Sequence, residues 1–185
     1  MASRYLLERR MEQSRALVLR PGLVGDTDAI AEIDMAELRA EKLGPGKLAG
    51  FIRNENVIVA EVGGEIAGFC VLLYRPERLM AVLEAIAVLV NFARQGVGRT
   101  LLEAAEREAT NRGYRSLQLH VRADNKRAID IYRRSGFRRL WRIRRKPEIY
   151  LDEIVAIRMR KRLRPSDKQL TDTLSAFMRL LRLRS

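Results

Sequence analysis

Hydrophobic positions along the chain recur with a period near two in some segments and near 3.6 in others. Apolar, strand-like runs cover residues 16–19, 57–62, 65–74, 82–90, 116–122, 138–144 and 154–160, and helix-like runs cover 26–38, 47–53, 98–111 and 125–135. This order of strands and helices predicts an α+β fold with a mixed sheet flanked by helices.

The central feature of this pattern is the run from Val82 to Val90, which is apolar except for Glu84. Such a run is too short for a membrane span and lacks the alternation of a half-exposed strand. It therefore predicts a strand that is buried on both faces in the middle of the sheet. The paired glycines Gly63 and Gly64 predict that the two preceding strands form a hairpin.

Glycines mark the passage from this central strand into the next helix. Gly96 and Gly98 stand at the predicted helix start, and Arg94 and Arg99 flank them. Backbone N–H groups at a helix N-terminus attract anions, so the turn is a candidate phosphate site. A dinucleotide fingerprint would require a third glycine where Leu101 stands, and the Gly-Lys-Ser/Thr of a P-loop is absent.

Two later segments carry further polar side chains. In the strand at 116–122, Leu117, Leu119 and Val121 share one face, which leaves His120, the only histidine, on the other. Asn125 is placed to cap the next helix, and Tyr132 follows seven residues later on the same helix face.

Length and composition favour one domain. At 185 residues the chain suits a single core, predicted over residues 15–163, with a charged extension at 1–14 and a basic amphipathic helix at 164–185. The single cysteine, Cys70, excludes an intrachain disulfide and a cysteine-rich zinc site, and no metal site is predicted. Without an apolar leader or a run long enough to span a membrane, we expect a cytoplasmic protein.

The net charge of +13 is concentrated near the C-terminus. Residues 138–146 contribute six Arg or Lys without an acid, and residues 158–184 contribute nine against two Asp, so these stretches account for the whole excess. Nucleic acid or another acidic partner suits such stretches, although a solvated charged face has the same composition. An apolar stripe at 170–181 would pack on the chain's own domain or on a twin subunit in a homodimer.

Four blocks of the sequence resemble the GNAT superfamily of N-acetyltransferases. They are Ile86-Ala-Val88, the glycine turn from Arg94 to Leu102, His120-Val-Arg-Ala-Asp-Asn125, and Ala128-Ile-Asp-Ile-Tyr-Arg-Arg-Ser-Gly-Phe137. Within the superfamily the chain is most similar to bacterial enzymes that acetylate the N-terminal amine of a ribosomal protein. The resemblance covers about residues 15–163 and implies a mostly antiparallel mixed sheet and the cosubstrate acetyl-CoA.

The resemblance also implies how acetyl-CoA is held. The backbone of Ile86, Ala87 and Val88 would pair with the pantetheine arm, and one of their N–H groups would stabilise the oxyanion. The pantetheine arm would also be hydrogen-bonded by Asn125. The pyrophosphate would bind at the turn formed by Arg94, Gln95, Gly96, Val97, Gly98 and Arg99. Asn125 has the alternative role of a plain helix cap.

Catalytic roles follow from the same resemblance. Tyr132 matches the tyrosine that protonates the departing thiolate, with a core anchor as the alternative. His120 stands where related enzymes often have a glutamate as the general base, and its competitor for that role is Glu84, a carboxylate in an apolar strand. Tyr150 matches a tyrosine in a loop that closes over the substrate peptide.

Two departures from the family pattern concern the cofactor strand and turn. Ala93 replaces the usual Arg or Gln, and Leu89-Val90 replaces a common acidic-proline pair, so weaker cofactor binding is expected. The leading hypothesis is direct transfer of an acetyl group to a protein N-terminal α-amine. The alternatives are a small-molecule amine as acceptor, or a non-catalytic module that binds acyl-CoA or nucleic acid.

Overall fold

Seven strands join into one sheet in the computed structural model, which describes residues 16–38, 43–145 and 154–164. The strands are β1 Leu17–Pro21, β2 Val57–Val62, β3 Glu65–Arg75, β4 Met80–Val88, β5 Ser116–Arg122, β6 Arg138–Arg145 and β7 Ile154–Arg162. The α-helices are α1 Thr27–Ile33, α2 Pro45–Arg53, α3 Val97–Asn111 and α4 Lys126–Arg134. This arrangement confirms the predicted α+β fold.

The sheet has the strand order β1-β2-β3-β4-β5-β7-β6. Every neighbouring pair is antiparallel except β4 and β5, which run parallel. The parallel pair needs a crossover, and α3 supplies it. Gly63 and Gly64 have φ angles of 63° and 86° and close the predicted β2–β3 hairpin.

Two apolar layers cover the sheet. The α3 side buries side chains from the helix and from the strands beneath it, among them Leu101, Leu102, Leu117, Leu119 and Ile157. The α1 and α2 side buries a second cluster that includes Ile30, Leu48, Val59, Phe69 and Ala85. Cys70 lies fully buried in the first cluster, and this burial raises the pKa of its thiol to about 12.

The first two predicted helices, over 26–38 and 47–53, have different bounds in the structure. The helical pattern over 26–38 is α-helical only to Ile33 and continues as a π-helical turn, Asp34–Leu38. Buried Asp34 accepts hydrogen bonds from the backbone N–H groups of Leu43 and Gly44, at 2.9 Å to each from Oδ2. Pro45 then begins α2, as a residue without an N–H group can at the first helical position.

The prediction that Val82–Val90 is buried on both faces is wrong for its second half. The strand runs from Met80 to Val88, and only its first four residues are buried on both faces. Beyond them Glu84, Ile86 and Val88 are half-buried, and Val90 lies outside the strand with 71% of its surface exposed. The reason is that β5 leaves β4 after this point and opens one side of the strand.

Several predicted features fall outside the described residues. These are the extension at 1–14, nearly all of the helix predicted at 164–185, and the loop that carries Tyr150. Within the described ranges, no helix combines the length and the apolar character needed to cross a bilayer.

Candidate active site

A cleft opens where β4 and β5 part. The two strands are paired over four levels only, from Met80 opposite Ser116 to Leu83 opposite Leu119. The next residues, Glu84 on β4 and His120 on β5, are the first beyond the pairing. Because β4 is still paired to β3 on its other side, its cleft edge presents N–H and C=O groups that no described strand satisfies.

Glu84 occupies a β-bulge. On β3, Val71 pairs with Ala85 and Leu72 pairs with Leu83, so Glu84 is the extra residue between them. The bulge reverses the alternation of the strand, because Leu83 faces the α3 layer whereas Ala85 faces the α1 and α2 layer. A half-buried carboxylate is thereby placed at the level where the two strands separate.

Gly68 is a residue that sequence reasoning did not single out. It lies opposite Val88 in the β3–β4 ladder, and a Cβ there would stand 2.5 Å from the carbonyl oxygen of Ala87. Only glycine permits this approach, so the position of residues 86–88 depends on it. A glycine inside an apolar strand pattern was the available indication.

The far end of β4 is tied to the π-helical turn by Glu37, which was also not predicted. Its Oε1 accepts a hydrogen bond of 3.1 Å from the backbone N–H of Val90. The turn that carries it packs against β4. The π-helical turn Asp34–Leu38 thus lies against the end of β4 beside the cleft.

The predicted phosphate turn has the geometry that anion binding needs. Gly96, with φ of 87°, is the N-cap of α3, and no side chain in the described part of the chain caps that helix end. The first intrahelical hydrogen bond runs from Thr100 N to Gly96 O at 2.9 Å, so the N–H groups of residues 97–99 precede it. Such groups point out of the helix end together with its positive dipole.

The two glycines of this turn have different constraints. Gly96 is required by its positive φ, which other residues rarely adopt. Gly98 has a helical conformation, and a Cβ there would make only an ordinary 3.5 Å contact with Val88 Cγ2. The fold therefore tolerates a side chain at position 98, and the open space in front of its backbone fits a closely approaching phosphate.

The charged and polar side chains of the turn lie at the surface. Arg99 is 80% exposed and forms an i,i+4 ion pair of 2.8 Å with Glu103, and Gln95 Nε2 donates to Asn91 O at 2.9 Å. Arg94 is exposed and has φ of 65°, an uncommon value for a residue other than glycine. Ala93 is extended with φ of −64°. Any anion at this turn would be held mainly by backbone N–H groups.

On α4 the structure places Asn125 and Tyr132 as the spacing predicts. Asn125 is the N-cap, and its Oδ1 accepts a 3.0 Å hydrogen bond from Ala128 N. The capping role is therefore observed, and the side-chain NH₂ is not used by that bond. Tyr132 is half-buried, packs against the α3-side core, and has its ring centroid 5.8 Å from that of Phe137.

His120 lies at the parting of the strands but is engaged by a neighbouring strand. The Nε of Arg158 on β7 donates to His120 Nε2 at 3.2 Å. The same guanidinium stacks on Trp141 of β6, 4.8 Å from the ring centroid. One ring nitrogen of the histidine is thus occupied as an acceptor.

Taken together, the described residues fit acetyl-CoA. The open edge of β4 suits an amide-containing arm, and the uncapped start of α3 suits a pyrophosphate. No group of three or more His, Cys, Asp or Glu side chains suited to a metal occurs within the described part of the chain.

Comparison with known proteins supports the same fold and family. A 72-residue stretch is 42% identical to mycothiol acetyltransferase of Jonesia denitrificans, over 39% of this chain and 23% of that protein. Another, of 57 residues, is 47% identical to the ribosomal protein bS18-alanine N-acetyltransferase of Escherichia coli, over 31% of this chain and 38% of that enzyme. These matches span less than half the length of either relative.

Solved structures extend the likeness over most of the fold. The crystal structure of the ribosomal-protein-S18-alanine N-acetyltransferase from Escherichia coli superposes with a TM-score of 0.70 at 27% identity, over 80% of this chain and 94% of that one. The family model described as "Acetyltransferase (GNAT) family" matches residues 28–137, which include the parting of β4 and β5, the phosphate turn, Asn125 and Tyr132. The chain belongs to the GNAT acetyltransferase family, whose members use acetyl-CoA.

Proposed function

We propose that this chain transfers the acetyl group of acetyl-CoA to the α-amine at the N-terminus of a protein. The observation that carries the proposal is the parting of β4 and β5 after Leu83 and Leu119, with the uncapped helix start of α3 beside it. The sequence likeness to the bS18-alanine N-acetyltransferase favours a protein N-terminus as acceptor. A ribosomal acceptor would place the reaction in the cytoplasm.

When bound, acetyl-CoA supplies a thioester that the amine attacks directly. The backbone of Ile86, Ala87 and Val88 would pair with its arm, and one of their N–H groups on the open edge of β4 would stabilise the negative charge that develops on the thioester oxygen. The turn from Arg94 to Arg99 would hold the pyrophosphate. The Asn125 NH₂ would add a donor to the arm while Oδ1 continues to cap α4.

Tyr132 would act as the general acid. Its phenol would donate a proton to the departing thiolate, which leaves more readily once protonated. The half-buried position of the ring against the α3-side core supports this role, because a packed ring holds its hydroxyl in a fixed direction.

Glu84 is our choice for the general base that accepts the proton of the amine. It stands in the bulge at the first level beyond the strand pairing, and a carboxylate has only acceptor atoms. His120 stands at the matching level of β5, but Arg158 donates to its Nε2. In this proposal His120 lines the acceptor side, and Tyr150, which lies outside the described residues, contacts the acceptor peptide as the family resemblance implies.

A small amine is the second candidate acceptor. The likeness to mycothiol acetyltransferase over 72 residues favours it, because the name of that relative gives mycothiol as its substrate. The two candidates differ in what must reach the cleft: a peptide N-terminus followed by further residues, or a free small molecule.

The test uses the full-length chain with acetyl-CoA and a set of peptides that present different free N-terminal residues. Each peptide is paired with the same sequence blocked at its N-terminus and containing an internal lysine, and a set of small primary amines is run in parallel. Tandem mass spectrometry locates the acetyl group. Acetylation of free α-amines alone is expected. Acetylation of lysine or of small amines instead would contradict the proposal, and no transfer to any acceptor would favour a non-catalytic module.

A further inference from the structure

One face of the sheet carries a row of arginines along β7. The strand alternates, so that Ile157 and Met159 are fully buried toward α3, whereas Arg158, Arg160 and Arg162 lie on the opposite face. On β6, Arg138 pairs directly with Arg160. We call Arg138, Arg158, Arg160, Arg162 and the nearby Trp141 the arginine face.

Among the described residues, the helices that cover this side of the sheet stop short of the arginine face. The apolar cluster beneath α1 and α2 takes its described members from β2, β3 and β4, and none from β5, β6 or β7. Gln118 of β5 is only 5% exposed there, and Arg160 Nη2 donates to its Oε1 at 3.1 Å. The arginine side chains thus occupy a position that helices occupy over the other strands.

The charges of these strands are not balanced by acids on the same strands. The strands β6 (RRLWRIRR) and β7 (IVAIRMRKR) contain nine Arg or Lys and no Asp or Glu. Two cations directly opposite each other, as Arg138 and Arg160 are, destabilise a sheet unless an anion lies between or above them. An external polyanion would relieve this repulsion.

The arginine face extends from the cleft to a basic cavity at the other end of β5. At the cleft end Arg158 contacts both His120 and Trp141. At the other end a cavity of about 670 Å³ is lined, among the described residues, by the four arginines Arg78, Arg115, Arg160 and Arg162 and by no Asp or Glu. The basic surface is therefore continuous along β7 rather than a single cluster.

The exposed side chain of Trp141 favours a nucleic acid over other polyanions as the ligand of the arginine face. It lies at a bulge between Arg139 and Arg142, is 49% exposed, and has the Arg158 guanidinium 4.8 Å from its ring centroid. An exposed indole beside a guanidinium is a surface on which an unpaired base stacks. The guanidinium fork also matches phosphate oxygens with two parallel hydrogen bonds.

We propose that the arginine face binds single-stranded RNA and holds it beside the acetyl-transfer cleft. The choice of RNA over DNA rests on the ribosomal acceptor of the proposed function, because RNA is then the polymer next to the substrate. The binding itself requires neither acetyl-CoA nor an acceptor, so it is measured separately from the transfer reaction.

The experiment measures binding of a fluorescein-labelled, mixed-sequence RNA oligonucleotide to the full-length chain by fluorescence anisotropy at several salt concentrations. The variant is the pair R138Q and R160Q, and the matched control is the pair R53Q and R127Q, two exposed helical arginines away from this face. Each phosphate contact on a single strand contributes a salt exponent of about 0.7, which is about a fivefold effect at 0.1 M salt. The face variant is expected to bind about 25-fold more weakly, with a salt slope lower by about 1.4.

Trp141→Leu provides an independent arm. Loss of base stacking is expected to weaken RNA binding at least about fivefold without changing the salt slope. Circular dichroism and acetyl-CoA binding verify that each variant is folded. A matched DNA oligonucleotide and poly-L-glutamate compete with the labelled RNA.

Four results would overturn the proposal. These are equal losses in the face and control pairs, tighter binding of DNA than of RNA, displacement by poly-L-glutamate at equal charge concentration, and no effect of Trp141→Leu. Displacement by poly-L-glutamate would identify an acidic protein as the partner. None of these results bears on acetyl transfer to peptides, which the experiment described above tests.

Discussion

The two sides of the cleft differ in which atoms they present. On the β4 side these are main-chain groups, held in place by pairing with β3, by the bulge at Glu84 and by the close approach of Gly68. On the β5 side they are side chains, His120 and the Arg158 that binds it. Substitutions on the first side should therefore act through backbone geometry, and those on the second through charge and proton transfer.

The same difference separates cosubstrate binding from proton transfer in the proposed reaction. The cosubstrate would be recognised by amide groups that every sequence possesses, so the absence of an Arg or Gln at Ala93 is tolerable as long as residues 97–99 keep their helical start. Proton transfer, by comparison, requires particular side chains. The largest predicted effects therefore concern Tyr132 and Glu84.

Tyr132→Phe should lower the rate constant of acetyl transfer about 100-fold or more, because it removes the proposed proton donor and keeps the ring that packs on the core. The KM for acetyl-CoA should change much less. Steady-state kinetics with a free-amine peptide measures both. An unchanged rate would show that Tyr132 is only an aromatic anchor.

Glu84→Gln should lower the rate constant of acetyl transfer about as much, because the amide cannot accept the proton of the amine. His120→Gln is the matched comparison on the opposite strand, and its rate constant should fall much less. Steady-state kinetics of both variants with a free-amine peptide decide between the two residues. If the larger loss occurs in His120→Gln, the two roles are exchanged.

Gly98→Ala and Gly96→Ala separate cosubstrate binding from folding. A Cβ at position 98 meets only Val88 among the described residues, so stability should hold while the Kd for acetyl-CoA rises about tenfold. Gly96→Ala should lower the free energy of unfolding by about 1–2 kcal/mol because its φ is 87°. Calorimetric titration and denaturant unfolding report the two quantities. Equal losses of stability in both variants would contradict the assignment of Gly96 to folding and of Gly98 to cosubstrate binding.

The smallest effect is expected at Cys70, which pairs with Ile86 behind the cofactor strand. With its pKa raised to about 12 and no exposed surface, the thiol is almost entirely protonated at pH 8. Iodoacetamide should therefore modify it only in the unfolded chain. Native alkylation at a rate within tenfold of the unfolded chain would show that this side of the cleft is loosely packed.

Local patterns predicted most of the fold. The element order, the hairpin at Gly63 and Gly64, the helix start near Gly96 and the cap at Asn125 depend on residues close together in sequence, and all are observed. The departure of β5 from β4 and the bulge at Glu84 depend on which strands become neighbours, so periodicity could not show them. The assumption of a strand buried on both faces failed for this reason.

The site was predicted less completely than the fold. The Arg158 contact to His120 joins residues 38 positions apart, and the Glu37 contact to Val90 spans 53. Neither has a local sequence pattern. Gly68 did have one, since a glycine within an apolar strand indicates close backbone approach.

Hydrogen–deuterium exchange with and without acetyl-CoA tests the account most directly, because it observes the backbone N–H groups to which cosubstrate binding is assigned. Acetyl-CoA should slow exchange in two segments, residues 84–88 of β4 and residues 96–99 at the start of α3, and leave α1 and α2 nearly unchanged. Protection confined to other parts of the chain, or none at saturating acetyl-CoA, would contradict the claim that the cleft between β4 and β5 holds the cosubstrate.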